Sequence, residues 1–506
     1  MRTAQASTLI MLLLLASLSA VMQPANAADT TVNTETTWSG EIVLTGNVTV
    51  ANGTTLTIAP GTTIDAGEDH WIRIEGSLIA SDTTLSSSAT PLTQGSHGAG
   101  LWVGIQIESN GHAQLSNVTI NNSKTAVRNH GNLVATTLHI NDAYIGLSNS
   151  GTASLADLTA QDIDYDVVRT SGSLNVEVAT FTNVAGGIVS SGTSDVSDLS
   201  FYQTGLALKA TSGHLQASGV SFNGVTVGIA SQAGAVASVA SVIGTNVALV
   251  VDAADSDDLT LDTMVISGHR LLLANGATHL QAEDITFVGN LNETRAVLDQ
   301  RCNGICTWNQ TTLTNTVWGV ALSGDGDHTF NDLTSESTLR NIDASGNGNL
   351  LMSNATLHGS DAALSLRGPS SIIDGASITS LSSSAIALDV LDGHHDWNDV
   401  SVSKTYSSQD TTSIGLKAWY SMIVAEDISI ANHGNGIQLS NAMLNGNSMT
   451  VVDGKSTGIM LEDSHLGVES LTTQVFPTGA HLEGASTLQA SNWAASLHGT
   501  PLMIGS

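Results

Sequence analysis

Short apolar segments that alternate with polar residues recur along most of the chain. In one of them, Leu174, Val176 and Val178 occupy every second position, and a second apolar run at 187–189 follows after a few polar residues. Alternation with a period of two predicts short β-strands with one buried face. No window after the first 27 residues carries a sustained helical period. The pattern therefore predicts an all-β chain.

Regularly spaced glycines show that these segments belong to one repeat. The steps between them are 20 or 21 residues, at Gly111, Gly131, Gly151, Gly172, Gly192, Gly213 and Gly234. A strand–turn–strand unit of this size cannot enclose a core alone, so neighbouring units must stack. We expect a single-domain right-handed parallel β-helix, a β-solenoid, of roughly 20 coils of about 21 residues. The right hand follows from the general preference for right-handed crossovers.

The first residues have the features of an export signal. Arg2 precedes an apolar run at 9–21, and Ala25-Asn26-Ala27 fits the small-residue cleavage pattern. We therefore expect a secreted or cell-surface protein, and no later stretch approaches the ~20 apolar residues of a membrane span. The expected organisation is a signal peptide at 1–27, an N-terminal cap with the first coils at 28–110, regular coils at 111–289, an inserted loop at 290–317 and C-terminal coils at 318–506. The residues at 501–506 offer no polar cap, so we expect further chain or a partner over the last coil.

The charge balance narrows the classes of partner. Forty-five acidic residues oppose 14 basic ones, for a formal net charge of −31. Nucleic acids and anionic membranes are bound through Lys and Arg, so we expect neither as a partner. Much of the acidity recurs at one position of the repeat, where Asn and Asp can form a stacked corner. These residues are Asn117, Asp157, Asp198, Asp284, Asp332, Asp399 and Asp427.

Two cysteines, Cys302 and Cys306, lie in the segment 290–317, where the repeat loses its rhythm. In an exported chain a disulfide between them is expected. Insertions in solenoids project from one face, so we expect this segment to cover one side of the coils.

The N-terminal coils carry the most recognisable motifs. LTIAPG at 56–61 and WVGI at 102–105 resemble the first coils of secreted right-handed β-helix proteins of the pectate-lyase-like superfamily. The resemblance implies a parallel β-helix outside the cell and no particular catalytic residue. Members include polysaccharide lyases and hydrolases as well as adhesins and non-catalytic surface proteins, so the fold alone leaves the function open.

A lyase of this superfamily typically uses an Arg or Lys base and carboxylates that hold Ca²⁺ against an acidic sugar. Arg128 and Arg169 both lie three residues before a repeat glycine, which places them in one column two coils apart, and Lys209 falls close to it. Near them, an extended segment would present Asp162, Asp164 and Asp166 on one face. The predicted catalytic residues are Arg128, Arg169 and Asp164, with Asp162, Asp166 and Lys209 in binding. The alternative is a set of ion pairs on a solvated face.

Two weaker candidates lie further along the chain. His394, His395 and Trp397 could hold a metal or a sugar ring if the segment is a loop, and otherwise form a polar corner. Asp325 and Asp327 resemble part of a calcium loop but are also typical of a turn. Eight tryptophans could stack on sugars or fill irregular coils. They are Trp38, Trp71, Trp102, Trp308, Trp318, Trp397, Trp419 and Trp493.

Two functions agree with these observations. The first is a structural or adhesive surface protein that binds an extracellular polysaccharide or cell-surface glycan without turnover. It follows from the uniform repeats and the few basic residues. The alternative is an extracellular polysaccharide lyase or glycoside hydrolase that uses the Arg128/Arg169 column, with Ca²⁺ as the cofactor to consider.

Overall fold

The computed structural model describes residues 29–88, 101–256, 258–359, 361–382, 384–405 and 410–505. The expected signal peptide at 1–27 lies outside them. The described residues form an all-β chain without helices, a parallel β-solenoid of about 21 turns, which confirms the predicted fold class and coil number. The right hand of the coils stays a prediction. No helix in the described part of the chain has the length and apolar character to cross a membrane.

The chain divides into two compact units, Met1–Thr226 and Val227–Ser506, called unit 1 and unit 2 below. The strands of unit 1 are β1 Thr30–Val32, β2 Thr36–Trp38, β3 Glu41–Val43, β4 Val48–Val50, β5 Thr55–Ile58, β6 Thr63–Asp65, β7 Trp71–Ile74, β8 Ser77–Ser86, β9 Gly104–Ile107, β10 His112–Asn129, β11 Asn132–Ala135, β12 Leu138–Asn149, β13 Thr152–Thr170, β14 Ser173–Ser190, β15 Thr193–Tyr202, β16 Leu206–Ala210 and β17 Gly213–Asn223.

Unit 2 continues the same architecture. Its strands are β18 Val227–Ser231, β19 Ala235–Ala254, β20 Asp258–Val288, β21 Ala296–Gly324, β22 Asp327–Ser345, β23 Asn349–Gly359, β24 Ala362–Arg367, β25 Ser370–Ser380, β26 Ile386–Leu391, β27 His394–Lys404, β28 Ile414–Trp419, β29 Met422–Ala431, β30 Asn435–Ser440, β31 Met443–Val452, β32 Thr457–Glu462, β33 His465–Gln474, β34 Thr478–Glu483, β35 Thr487–Ser496 and β36 Thr500–Ile504.

One coil of unit 1 shows how the repeat folds. Residues 173–176, 179–182 and 186–190 form three strand segments, and each pairs in parallel with its equivalent in the next coil. Leu174 and Val176 point inward in the first segment, and Phe181 does so in the second. Val178 breaks the alternation, because it lies at the corner between these segments and is 44% exposed. Successive coils thus stack apolar side chains into interior columns.

Six of the seven repeat glycines lie where successive backbones approach closely, and Gly234 is the exception. A Cβ on Gly151 would lie 2.2 Å from the carbonyl oxygen of Gly131, and one on Gly172 would lie 2.1 Å from that of Gly151. Larger residues would force the coils apart. The regular spacing of glycine in the sequence therefore reflects a steric requirement of the stack.

The predicted Asn/Asp corner exists at five of its seven positions. The φ angles there lie between 48° and 55°, a left-handed conformation that Asn and Asp tolerate. The five residues are Asn117, Asp198, Asp284, Asp332 and Asp399. Asp157 and Asp427, also described, lie inside strands without a positive φ. Most of this acidic column therefore has a structural role.

The segment 290–317 keeps its place in the stack over most of its length. Strand β21 starts at Ala296, and Leu298, Cys302 and Cys306 pair in register with Leu272, Ala277 and Leu280 of β20. Cys302 and Cys306 form a disulfide, and both are fully buried. The part outside the strands is therefore residues 289–295, β21 shifts its register against β20 near Cys302, and the disulfide lies within the coil.

Candidate functional site

The structure places the predicted basic residues in one column of unit 1. On the outer face of the third strand segment, Arg128 pairs with Ser148, and Ser148 pairs with Arg169. Val189 separates Arg169 from Lys209 in the same way. Because adjacent strands lie ~4.8 Å apart, a cation recurs about every 10 Å. We call Arg128, Arg169 and Lys209 the basic column.

Neighbouring side chains hold Arg169 in place. Its guanidinium lies over the ring of Tyr165, 4.9 Å from the centroid, and one terminal nitrogen donates to the Tyr165 hydroxyl at 2.9 Å. Its Nε lies 3.2 Å from Asp166 Oδ2. The ring of Tyr144 stacks on Tyr165, with centroids 5.5 Å apart. Arg169 is therefore a preorganised cation, since its partners restrict its rotamers.

The three predicted carboxylates do not share a face. Asp162 occupies a left-handed corner with φ 55° and accepts hydrogen bonds from Gln161 and Asn183. The register then shifts between Ile163 and Asp166. As a result Asp164 is exposed and Asp166 is buried. The expectation of one carboxylate face is wrong, because a corner and a bulge interrupt the extended strand.

Asp166 is the carboxylate closest to the basic column. Burial raises its pKa, and the opposing effects of Arg169 and Lys209 do not cancel the shift. The side chain lies over the backbone of Gly186 in the next coil, where an added Cβ would come within 2.3 Å of Asp166 Oδ1. A glycine at 186 therefore makes room for this carboxylate. The sequence offered no sign that Asp166, and not Asp164, would be the buried member of the run.

The histidine cluster does not converge. His394 to Lys404 form strand β27, so adjacent side chains point to opposite faces. His394 is exposed beside Asp396, at 3.4 Å, whereas His395 is fully buried and shares the Ser371 hydroxyl with the indole N–H of Trp397. Burial lowers the pKa of His395. The condition for a metal or sugar site, a loop at these residues, is therefore not met, and His395 and Trp397 form an interior hydrogen-bond network.

Asp325 and Asp327 belong to another ladder of polar side chains. Asp325 accepts a hydrogen bond from Asn347 at 3.1 Å, and Asp327 accepts one from Asn349 at 2.7 Å, both one coil further on. Across the residues that the structure describes, no group of three or more His, Cys, Asp or Glu side chains could hold a metal ion. The two aspartates thus link adjacent turns.

A buried ionic cluster in unit 2 was missed by the sequence reasoning. Lys404 and Asp410 form an ion pair with both side chains only 1% exposed. Burial raises the pKa of Asp410, but hydrogen bonds from Lys404, Ser413 and the backbone outweigh it and lower the pKa to about 2. His433 lies beside them, and burial together with the Lys404 charge lowers its pKa to about 4. The sequence did contain a sign of the buried lysine, because Lys404 follows Val400 and Val402 at alternate, inward-facing positions of β27.

The tryptophans divide between packing and exposure. Trp38, Trp102, Trp308 and Trp397 are buried, which agrees with the filling of irregular coils. Trp419 is 43% exposed and lies under the ammonium group of Lys417, at 4.5 Å.

Comparisons of the chain with protein-family models, with curated proteins and with solved structures found no match.

Proposed function

We propose that this chain is an exported, cell-surface or secreted β-solenoid that binds an acidic extracellular polysaccharide without turnover. The observation that carries the proposal is the basic column, in which Arg128, Arg169 and Lys209 recur at every second coil on an exposed face. A polysaccharide is itself a regular polymer, so carboxylates along it can meet cations that recur at a fixed interval. The resemblance of the N-terminal coils to secreted β-helix proteins supports the location.

The surroundings of Arg169 favour binding over catalysis. The guanidinium is engaged by Tyr165 and Asp166, which suits a fixed positive charge. Asp162 is committed to the corner, and Asp164 is exposed to solvent. These positions leave the column with cations that can recognise a carboxylate but without the calcium-binding carboxylate group expected of a lyase.

Binding is tested with polygalacturonate and alginate, and with dextran as the neutral control. We expect retardation in affinity electrophoresis by the acidic polymers, weaker at higher salt because exposed charges are screened. Arg169→Gln should weaken it, whereas Arg367→Gln, which removes an exposed cation of unit 2, should not. Equal effects of the two variants, or no retardation by either acidic polymer, would overturn the proposal.

One observation favours the enzymatic alternative. A buried carboxyl with a raised pKa beside two cations is an arrangement found at acid–base sites, and Asp166 has it. Product formation is therefore measured with the same polymers and Ca²⁺, as unsaturated-product absorbance and as reducing ends. Turnover that is lost in Asp166→Asn would establish the alternative. Turnover that survives both Asp166→Asn and Arg169→Ala would place the activity elsewhere.

A further inference from the structure

A second exposed surface lies at one corner of unit 2. Six successive coils turn this corner with a positive φ, and five of the six residues are glycine, aspartate or asparagine. The sixth is Tyr420, with φ 52° and 63% of its surface exposed. The six are Gly368, Asp392, Tyr420, Asn441, Asp463 and Gly484.

The tyrosine is unfavourable at this place. Large side chains disfavour the left-handed region, whereas Gly, Asn and Asp tolerate it. An exposed ring gains little from burial that would offset the strain. Strained residues are concentrated at functional sites, so the surface around Tyr420 is a candidate for one.

The residues around Tyr420 form a surface suited to a sugar ring. Trp419 precedes it and is 43% exposed, and Met422 and Met443, each 40% exposed, stand in register on adjacent coils. Tyr420, Met422 and Met443 line a shallow groove that also contains Asp463 and His465, and Trp419 is the neighbour of Tyr420 in the chain, outside that lining. Flat aromatic rings beside polar acceptors match a pyranose, whose faces carry C–H groups and whose edge carries the hydroxyls.

The charge around the groove indicates which sugar fits. Three carboxylates, Asp392, Glu462 and Asp463, lie at or next to this corner, and they outnumber the cation Lys417, whose ammonium lies 4.5 Å from the Trp419 ring centroid. Carboxylates accept hydrogen bonds from hydroxyl groups but repel the carboxylate of an acidic sugar. We propose that the groove at Tyr420, with the exposed Trp419 beside it, binds a neutral glycan chain. The inference rests on the proposed function only in that the chain meets extracellular polysaccharides, since no residue of the basic column takes part.

The test uses isothermal titration of the full chain with cellohexaose and laminarihexaose. Tyr420→Asn should raise the thermal midpoint, because it relieves the left-handed strain, and should weaken neutral-glycan binding about tenfold. Trp419→Ala should weaken it to a similar extent. The matched control is Val475→Asn, since Val475 has φ 61° at another corner of unit 2. It should raise the midpoint and leave binding unchanged.

The outcomes separate this inference from the proposed function. Arg169→Gln should reduce polygalacturonate binding and leave cellohexaose or laminarihexaose binding intact, while Tyr420→Asn should do the reverse. If neither neutral hexasaccharide binds, or if Tyr420→Asn binds as tightly as the unmodified chain, the inference is overturned whatever happens at the basic column. Loss of polygalacturonate binding in Tyr420→Asn would also overturn it.

Discussion

Units 1 and 2 are built from the same kind of coil but differ in the polar residues of its interior. In unit 1 the inner position next to the basic column is occupied by neutral polar residues, and Asn129 donates to Asn149, which in turn donates to Thr170. In unit 2 the described interior includes His328, His395, His433 and the Lys404–Asp410 pair. The described histidines of unit 1 are all at least partly exposed. A coil therefore tolerates polar interior groups of quite different chemistry, provided that they find partners.

The outer faces of the two units differ in charge. At the position of the repeat that carries Arg128, Arg169 and Lys209 in unit 1, unit 2 carries several aspartates. Two of them are neutralised, Asp299 by Arg270 at 3.0 Å and Asp343 by Arg340 at 2.6 Å. The charge on this column is thus free to vary between units, because an outward side chain does not take part in the stack.

The largest effect on this comparison is expected from Lys404→Met. The substitution leaves the Asp410 carboxylate buried without its cation, which costs about 3–5 kcal/mol. Hydrogen exchange read peptide by peptide should show lost protection in unit 2 and retained protection in unit 1. Arg367→Met, which removes an exposed cation of unit 2, is the control and should change little.

The double variant Lys404→Met/Asp410→Leu separates charge from packing. Removal of both ionic groups should recover most of the lost stability, since a buried pair is often replaceable by apolar residues. A double variant as unstable as Lys404→Met alone would show that the shape of the lysine, and not its charge, is what unit 2 requires.

Acidification is the next test of the difference between the units. Burial lowers the pKa of both His328 and His433 to about 4, against ~6.5 in an unfolded chain. Between these values the unfolded chain binds more protons, so the stability of unit 2 should fall as pH drops below about 6.5 and level off near 4. The loss is about 3 kcal/mol per histidine.

Unit 1 should respond to acid with the opposite sign. Burial raises the pKa of Asp166, and burial with the nearby Asp162 and Asp164 charges raises that of Asp142. The folded state of unit 1 therefore binds the additional protons, and mild acid favours it. Hydrogen exchange at pH 7 and pH 5 measures both units at once, and His433→Leu should reduce the response of unit 2. Equal loss of protection in both units would contradict this account.

A smaller effect is expected inside unit 1. Asn149→Leu removes the acceptor of the Asn129 amide and the donor to Thr170 and to the Ser173 carbonyl. Unsatisfied buried partners cost about 1–3 kcal/mol. Because amides do not titrate, the loss should be the same at pH 5 and pH 7, unlike that caused by His433. Denaturant unfolding at the two pH values checks this, with Ser148→Ala on the outer face as the control.

The sequence predicted the coil well because the coil is a repeated steric pattern. Gly151 and Gly172 recur where backbones touch, and Asn117 and Asp198 recur at a left-handed corner. Each constraint acts again in every coil, so the pattern reinforces itself along the chain. The periodicity of the sequence thus predicted the strands, most of the corners and the column of Arg128, Arg169 and Lys209.

Single departures from the repeat were harder to predict. The bulge after Ile163 moved Asp166 inward and left Asp164 outside, and one residue of shift decides such a placement. Alternation taken separately on the two sides of the Asp399 corner in β27 would have predicted that His394 and His395 separate and that Lys404 points inward. The partner of Lys404 is Asp410, which lies outside β27, and the unfavourable φ of Tyr420 has no sign in the sequence. Such features depend on tertiary contacts that no local pattern contains.

The smallest expected change in stability comes from the outer column, and it tests whether that column acts through local charge. Arg128→Gln should alter stability by less than about 0.5 kcal/mol, because the side chain is exposed, yet it should weaken retardation by polygalacturonate. Gln438→Glu makes the same change of net charge at the equivalent outward position of unit 2, between Lys417 and Met460, and should leave retardation unchanged. If both variants weaken it equally, the polymer responds to the total charge of the chain. If only Arg128→Gln does, the acidic glycan is recognised by the local cations of unit 1, although the whole chain carries 45 acidic residues against 14 basic ones.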